Sequence, residues 1–338
     1  MQKPSGIGGQ AVMEGIMMRS GDRYAVAVRK PDGDIVVKTE DYKPVIKIKN
    51  VEKIPLLRGV CSFIDSMVMG ISTLMYSAQF FDEEETEVKS KGASTESKEV
   101  RADERQGKVI EDNSPSRIKE DKSYKAMMTG TIVVSVLISV GLFIILPYVI
   151  ASLLKGIGAG DSVIALAEAL IRIIIFLLYM FLISRMKDIQ RVFMYHGSEH
   201  KCINCLEHGM ELSVENVMKS SRQHKRCGTS FLLFVVIISV VFFLIVSAFG
   251  IKSYIIKLLL RIIFIPVIAG IAYEILRAAG KTDSRIVNLM SAPGMALQKL
   301  VTIEPTPDQV EVAIAAVEAV FDWKEFLERN FGEKDNDK

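Results

Sequence analysis

All four histidines and three of the four cysteines of this 338-residue chain lie in one short stretch, between His196 and Cys227. Imidazole nitrogens and thiolates are ligands that zinc prefers in proteins. His196 and His200 are four residues apart, so on a helix they share one face and can reach one ion. Glu199 stands between them, and the pattern His-x-x-Glu-His matches the inverted zincin motif. The spacing predicts a divalent metal site, zinc by the type of its ligands, with Glu199 as the catalytic base.

The motif supplies two ligands, and a third must come from elsewhere in the chain. The candidates are Glu207, Glu211, His224, Cys227 and Glu274. We favour His224 and Cys227 as metal ligands. Glu274 belongs near the inner end of the last apolar run, at about the depth of the histidines, and we consider it as a further ligand or as a partner of one. A salt bridge at the helix end is the simpler role for Glu274.

A second metal hypothesis uses different side chains. The pattern Cys202-x-x-Cys205, followed by His224-x-x-Cys227, is typical of a closed structural zinc site. Four such ligands fill the coordination sphere and leave no position for a substrate, so the role of this site would be architectural. A third alternative is that no metal binds and that the histidines form ordinary hydrogen bonds at a membrane surface.

The elements that position this cluster include several very apolar segments. Hydrophobic residues make up 49% of the chain, and the mean hydropathy is +0.28, both high for a soluble protein. The excess lies in four runs, each close to the roughly 20 residues that a helix needs to cross a bilayer. These runs are Met127 to Ala151, Ser162 to Ser184, Ser230 to Phe249 and Ile255 to Ile275. We predict a membrane α-helical bundle of about four transmembrane helices.

Charge placement predicts the orientation of this bundle. The net charge is only +2, but lysines and arginines are concentrated before the first run and between the second and third, at 185–229. The two short turns on the other side carry only Lys155, Lys252 and Lys257. The positive-inside rule therefore predicts a multi-pass protein of the cell membrane with both termini and the histidine loop in the cytoplasm. A reducing compartment also favours metal binding or free thiols over disulfides.

Smaller units flank the predicted transmembrane domain, 123–285. In the unit 1–81, Tyr24 to Lys38 indicates a β-hairpin, Val45 to Lys49 indicates a further strand, and Leu56 to Phe81 has the periodicity of an amphipathic helix. That helix either caps the β unit or lies in the membrane interface. The highly charged segment 82–122 predicts a disordered linker. The segment 286–338 predicts a cytoplasmic helix that begins at Thr306.

Charged residues inside the predicted spans are few. Glu168 and Arg172 lie four residues apart in the second run, so they are expected to neutralise one another. With Arg261 alone in the fourth run, they do not make a transport route. The simple expectation is a structural ion pair.

Three longer segments carry a family resemblance. They are Gly8 to Arg19 (GGQAVMEGIMMR), Tyr195 to Lys201 (YHGSEHK) and His224 to Ser230 (HKRCGTS). Together they resemble the YqhQ family of bacterial membrane proteins. The resemblance implies a multi-span inner-membrane protein, often described as a predicted metal-dependent enzyme, without a substrate. Its pattern stresses His196, Glu199, His200, His224 and Cys227 over Cys202 and Cys205, which favours the open metal site over the closed one.

The first of these segments is rich in glycine but lacks the Lys-Ser/Thr of a phosphate-binding loop. Glycine lets backbone approach another surface, so Glu14 and Arg19 are candidates to pair with groups around the histidine cluster. A tight turn that opens the β unit is the equal alternative.

These observations predict a metal-dependent hydrolase at the cytoplasmic face of the membrane. Its substrate would be attached to the bilayer, as a peptide or a lipid, and nothing in the sequence indicates nucleic acid. Chloroplast relatives of the family are associated with membrane-protein assembly. The alternative is therefore a non-enzymatic insertion or assembly factor that binds translocon components or membrane-protein clients, with a structural zinc or no metal.

Overall fold

The structure is a computed structural model, and it describes residues 3–47, 51–90, 108–112, 122–225, 227–251, 253–279 and 285–332. Within these ranges, the strands are β1 (Gly8–Val12), β2 (Gly15–Ser20), β3 (Arg23–Arg29), β4 (Ile35–Asp41) and β5 (Val109–Glu111). The helices are α1 (Leu57–Ser90), α2 (Lys122–Val140), α3 (Leu146–Ser152), α4 (Asp161–Ile183), α5 (Lys187–Glu207), α6 (Val214–Lys219), α7 (Gly228–Ala248), α8 (Tyr254–Ile263), α9 (Ile265–Ala279), α10 (Arg285–Val301), α11 (Pro307–Glu318) and α12 (Trp323–Phe331).

The five strands form one sheet in the order of the chain. Strands β1 to β4 are an antiparallel meander, and β5 lies parallel to β4. The predicted hairpin is confirmed as β3 and β4, with Val28 opposite Val36. The strand predicted at Val45 to Lys49 is wrong for its described residues, 45–47, which form a bend. The amide of Val45 is instead bound by the Asp65 carboxylate of α1, at 2.8 Å.

Alternation along the strands gives the sheet two buried faces. Ile16, Met18 and Ala27 belong to a core that includes Tyr195 of α5 and Val310 of α11. On the opposite face, residues of the first three strands pack against the middle of α1. The residues of this second core are Val12, Met17, Val26 and Val28, with Met69, Tyr76, Phe80 and Phe81 of α1.

Helix α1 therefore caps the sheet, as the first of the two alternatives for the amphipathic helix predicts. The start of α1 also approaches α9, where an added Cβ at Gly59 would come within 2.9 Å of the Gly270 carbonyl oxygen. The helix does not end at Phe81 but continues to Ser90.

The predicted disordered linker, 82–122, is wrong in its described parts. Residues 82–90 complete α1, and Val109–Glu111 form β5. The amide of Asp112 donates to Val37 at 2.9 Å, and Tyr76 donates to the Asp112 carboxylate at 2.7 Å. The remainder of that predicted linker, 91–107 and 113–121, lies outside the described residues.

In the described part of the chain, four helical segments are long and apolar enough to cross a membrane: Leu57–Phe81, Thr129–Ile157, Asp161–Ile183 and Gly228–Ala248. The last three correspond to the first three predicted spans. The fourth predicted span is a broken one, because Ile255–Ile263 and Ile265–Ala278 meet at an angle of 42°. Pro266 lies at the break, where its ring removes one backbone hydrogen bond and favours the start of a new helix.

The helix that carries the histidines is separate from the preceding span. Helix α4 ends at Ile183 and α5 begins at Lys187, so the histidine helix is not a continuation of the second apolar run. The chain leaves α4 through two tighter bonds, from the Arg185 amide to Leu182 and from the Met186 amide to Ile183, both 3.1 Å, and Met186 is extended. The axis of α5 is thereby free to follow the sheet rather than the bundle.

The predicted C-terminal helix is confirmed as α11. Thr306 caps it and forms a reciprocal capping box with Gln309, which satisfies amides that the first helical turn leaves without partners. Its buried residues include Val310, Val312 and Ala313, which join the core of the sheet and α5. The N-terminal sheet and the C-terminal helix therefore form one compact unit around α5.

Candidate metal centre

Helix α5 is almost wholly enclosed along its second half. Tyr195 and the residues from Gly197 to Glu207 are buried. The connection between α10 and α11 crosses α5 at Gly197, where the Ile303 amide donates to the Phe193 carbonyl at 3.1 Å. A Cβ on Gly197 would lie 2.2 Å from the Ile303 carbonyl oxygen, so only glycine allows this crossing. The glycine inside the His-x-x-Glu-His motif therefore serves packing.

Three candidate ligands converge at one point. His196, His200 and Cys227 each offer an atom within 4.8 Å of the other two, the one such set of three that the described residues contain. The Nε2 atom of His196 lies 3.2 Å from the Sγ atom of Cys227. The ring centres of His196 and His200 are 4.4 Å apart. Cys227 caps the start of α7, so a helix end brings the thiol to the two rings.

Backbone carbonyls hold both histidines in the orientation that a metal site needs. Nδ1 of His196 lies 2.9 Å from the Val301 oxygen, and Nδ1 of His200 lies 2.7 Å from the Arg222 oxygen. A carbonyl only accepts, so each Nδ1 carries the proton and each Nε2 keeps its lone pair. This is the usual support of metal-bound histidine. Burial lowers the pKa of His200, which also favours the neutral ring.

The donor set fits zinc chemically. Two imidazole nitrogens and one thiolate suit a borderline-soft divalent ion, and three protein ligands are the number found in zinc sites that keep one position open. A closed structural site would use a fourth protein ligand.

Glu199 lies beside His196 but faces the glycine-rich strand. Its Oε1 atom accepts the Gly9 amide of β1 at 3.1 Å. An added Cβ at Gly9 would lie 2.5 Å from the Met17 oxygen and 3.2 Å from the Glu199 carboxyl carbon. Burial raises the pKa of Glu199, while His196 and the Gly9 amide act in the opposite direction.

A cleft of about 1560 Å³ opens beside this cluster. His196, Glu199 and His224 line it from one side, and β1 and α1 line it from the others. Thr229 and Leu232 of the apolar helix α7 complete the wall. The cleft therefore joins the histidine cluster to the end of an apolar helix.

His224 lies close to the cluster but has other partners. Its ring is 5.9 Å from that of His200, and its Nε2 atom lies 3.4 Å from the Glu207 carboxylate. Gln298 binds both the amide and the carbonyl of His224, at 3.0 and 2.7 Å. Glu207 also accepts the amide and the hydroxyl of Ser5. His224 and Glu207 thus connect α5 to the N-terminal segment.

The alternative four-ligand set is not brought together among the described residues. The Cys205 thiol contacts the Glu211 carbonyl oxygen at 3.3 Å, on the side of α6. Burial raises the pKa of Cys205 to about 11. Burial, and then the proximity of Cys205 and Glu199, raises the pKa of Cys202 as well. Both thiols stay protonated in the core around α5.

The other predicted site residues lie around the cluster. Glu14 forms an ion pair with Arg191, one and a half turns before His196 on α5. Arg19 stacks on the Tyr42 ring, 3.4 Å from its centre, in the wall of the cleft.

Glu274 is not at the metal donors. It pairs with Arg58 through two hydrogen bonds, the longer of them 2.6 Å, between α9 and α1. Its position is that of the helix-end salt bridge given above as its simpler role.

Sequence patterns missed several residues that hold the site. Lys201 is buried within the motif helix, donates to the Met218 and Ser220 carbonyls and pairs with Glu304 at 2.6 Å. Gln298 was also missed. Their partners are backbone groups of distant segments, which leave no periodic signal in the sequence.

The comparisons with known proteins agree with the motif resemblance. Residues 54–323 match the family described as protein of unknown function DUF1385. The chain is 33% identical over 332 residues to the "Uncharacterized protein YqhQ" of Bacillus subtilis (strain 168), covering 97% of this chain and 96% of that protein. No solved structure gives a significant match. The chain belongs to the DUF1385 family, and the predicted YqhQ relationship is confirmed.

Proposed function

We propose that this protein is an integral membrane enzyme that binds a zinc-like ion through His196, His200 and Cys227 and hydrolyses a membrane-attached substrate. The observation that carries the proposal is the convergence of three donor atoms, two of them on rings fixed by backbone carbonyls. A preorganised set of this kind costs little entropy when an ion binds. When bound, a zinc-like ion supplies Lewis acidity that polarises a carbonyl or phosphoryl oxygen and activates water.

Glu199 is the proposed general base. It shares the wall of the cleft with His196, and its carboxylate is held in place by the Gly9 amide. A base must lie within hydrogen-bond reach of the proton that it takes. The support for Glu199 is that it lines the same cleft as His196, one of the proposed ligands. The two walls, β1 and α5, limit access of bulk water to it.

The substrate class follows from the position of the cleft. Its rim includes Leu232 of α7, an apolar helix long enough to span a bilayer. A peptide or lipid that remains attached to the membrane would reach the cluster from this side. We propose the cytoplasmic face on the basis of the charge distribution, so a reporter fused after Lys338 should behave as cytoplasmic. A periplasmic signal would contradict this topology.

The metal is tested by elemental analysis of the purified full-length protein and of paired variants. Cys227→Ser and His200→Gln should lose at least tenfold in zinc content under a fixed chelator concentration, because each removes one of three ligands. Cys61→Ser and His208→Gln are the matched controls, since Cys61 is buried in α1 and His208 caps α5 away from the donors. Equal zinc in Cys227→Ser and Cys61→Ser would refute the site.

The base is tested by Glu199→Gln. The variant should keep its zinc and lose the cellular function of the protein, measured by complementation of a deletion strain. Because the amide side chain can still accept the Gly9 hydrogen bond, the fold should be retained. Full complementation by Glu199→Gln would remove the catalytic role while leaving the metal site intact.

An assembly factor is the second candidate function. The observation in its favour is the exposed apolar face of α1 beside the cleft, with Met67, Val68 and Leu74 between 45% and 50% exposed. Such a face is typical of surfaces that receive other apolar segments. Co-purification of translocon components or membrane-protein clients with both the native protein and Glu199→Gln would favour assembly over hydrolysis.

A further inference from the structure

A second polar cavity lies inside the helical bundle, far from the histidine cluster. Its volume is about 280 Å³, and its walls come from α3, α4, α7 and α8. Glu168 on α4 lines it, whereas the end of α4 that leads to α5 is Ile183, about 22 Å further along the helix at 1.5 Å per residue. The cavity and the metal cluster therefore occupy opposite ends of the bundle.

The centre of the cavity is an ion cluster rather than the simple pair expected above. The Oε1 atom of Glu168 accepts from Arg172 at 2.7 Å and lies 2.5 Å from a guanidinium nitrogen of Arg261. Arg261 therefore has a partner and is not the lone charge that its sequence position indicated. Because both nitrogens touch one oxygen, they lie within about 5 Å of one another. All three side chains are buried.

The charges that line the cavity do not balance. Two buried guanidiniums, on Arg172 and Arg261, face one buried carboxylate, on Glu168, while Lys257 is half-buried and Lys155 and Asp161 are exposed at the edge of the cavity. Excess charge is costly in a low-dielectric interior unless a counter-charge is present. The ring of Phe243, about 5 Å from each guanidinium, compensates only in part. The site lacks negative charge.

Guanidinium groups also specify the kind of anion. Each carries five N–H donors in a planar fork that matches the oxygens of a phosphate. The acceptors recorded for the two groups are the Glu168 carboxylate and the Phe143 carbonyl, which Arg172 Nε meets at 3.2 Å, and these are fewer than the donors of two guanidiniums. Apolar side chains of α4 and α7, including Ile164 and Leu244, close the rest of the cavity, which restricts the ligand to a small phosphate head.

We propose that this cavity binds a phosphate group, either free or as the head of an anionic lipid, between Arg172 and Arg261. Lys155, between α3 and α4, and Lys257, near the start of α8, would attract the anion to the entrance. This inference is independent of the metal centre, because it shares no residue with it.

The test compares two probes on the full-length protein. Native mass spectrometry measures phosphatidylglycerol retained from nanodiscs, with phosphatidylcholine as the neutral lipid, and equilibrium binding of radiolabelled inorganic phosphate is measured on delipidated protein. Arg261→Gln should lower the affinity for the probe roughly tenfold or more. It removes charge-assisted hydrogen bonds, and each of them contributes about a factor of ten in affinity. Arg261→Lys should restore part of the affinity.

The matched control is Arg185→Gln, which removes one exposed arginine at the other end of α4, where Arg185 stacks on Phe181. Loss of phosphatidylglycerol in Arg261→Gln but not in Arg185→Gln supports a lipid ligand, and the same pattern with inorganic phosphate supports a free one. If Arg261→Gln does not fold, the test uses Lys257→Gln, at the partly exposed entrance of the cavity. This variant should weaken binding of the probe about threefold. Binding of neither probe, or equal effects of the cavity variants and Arg185→Gln, would overturn the proposal.

Discussion

The crossing of the α10 to α11 connection over Gly197 gives a sharp prediction for Gly197→Ala. The added methyl group would lie 2.2 Å from the Ile303 carbonyl oxygen, more than 1 Å inside a normal contact. Because the obstacle is backbone, the connection itself must move. Overpacking of this kind costs about 1 to 3 kcal/mol. The gain in helix propensity from alanine, about 1 kcal/mol, offsets part of this cost.

The shift also reaches the metal ligands. Val301, whose oxygen holds Nδ1 of His196 at 2.9 Å, lies two residues before Ile303. Displacement of this oxygen releases the His196 ring from the orientation that points Nε2 at Cys227. A contact of 2.2 Å with backbone belongs to the upper half of the overpacking range, so the net loss is about 1 to 2 kcal/mol. We therefore expect Gly197→Ala to lower the unfolding midpoint by roughly 2 to 8 °C and to lower zinc affinity as well.

The assay is thermal unfolding in detergent at one scan rate, together with zinc content under a fixed chelator concentration. Gly130→Ala is the control, because a Cβ there meets nothing within 4 Å in another helix. Gly197→Ala and Gly130→Ala could instead have the same unfolding midpoint and the same zinc content. That result would show that the connection does not cross α5 at Gly197.

Three further predictions concern residues around the cleft. Gly9→Ala should destabilise the protein by about 1 to 3 kcal/mol in denaturant unfolding, because its Cβ would meet backbone of β2, whereas Gly8→Ala, with open space, should not. His224→Gln should lower the unfolding midpoint yet keep about one zinc per chain, since His224 contacts Glu207 and lies outside the donor set; zinc loss would instead make it a ligand. A double-mutant cycle of Arg58→Gln and Glu274→Gln should show unfolding effects that are less than additive, because the two side chains form an ion pair between α1 and α9; full additivity would show that this pair does not join the two helices.

Local rules were sufficient where an element depends on its own residues. The hairpin of β3 and β4 follows from alternation and one turn, and α11 follows from the Thr306 cap and its apolar face. The convergence of His196 and His200 also follows from helical spacing alone. These features need no knowledge of distant partners.

The missed features depend on contacts between distant segments. Strand β1 was overlooked because its glycines give no alternation, although Gly9 is required where Glu199 approaches. The fourth apolar run was interpreted as one span, because the average hydropathy of a run changes little with a single proline. In the structure the helix breaks next to Pro266. Of the two favoured third donors, His224 and Cys227, the one that lies with His196 and His200 depends on where α7 begins, which spacing does not specify.

Strand β5 shortens the connection between the sheet and the first long apolar helix. Strand β5 pairs with the edge strand β4, and this pairing attaches the chain to the sheet at Val109–Glu111. From Glu111 to the start of α2 at Lys122, the covalent chain spans at most about 40 Å when fully stretched. A connection of this length keeps the sheet close to the helical bundle. The cleft wall that the sheet provides stays there with it.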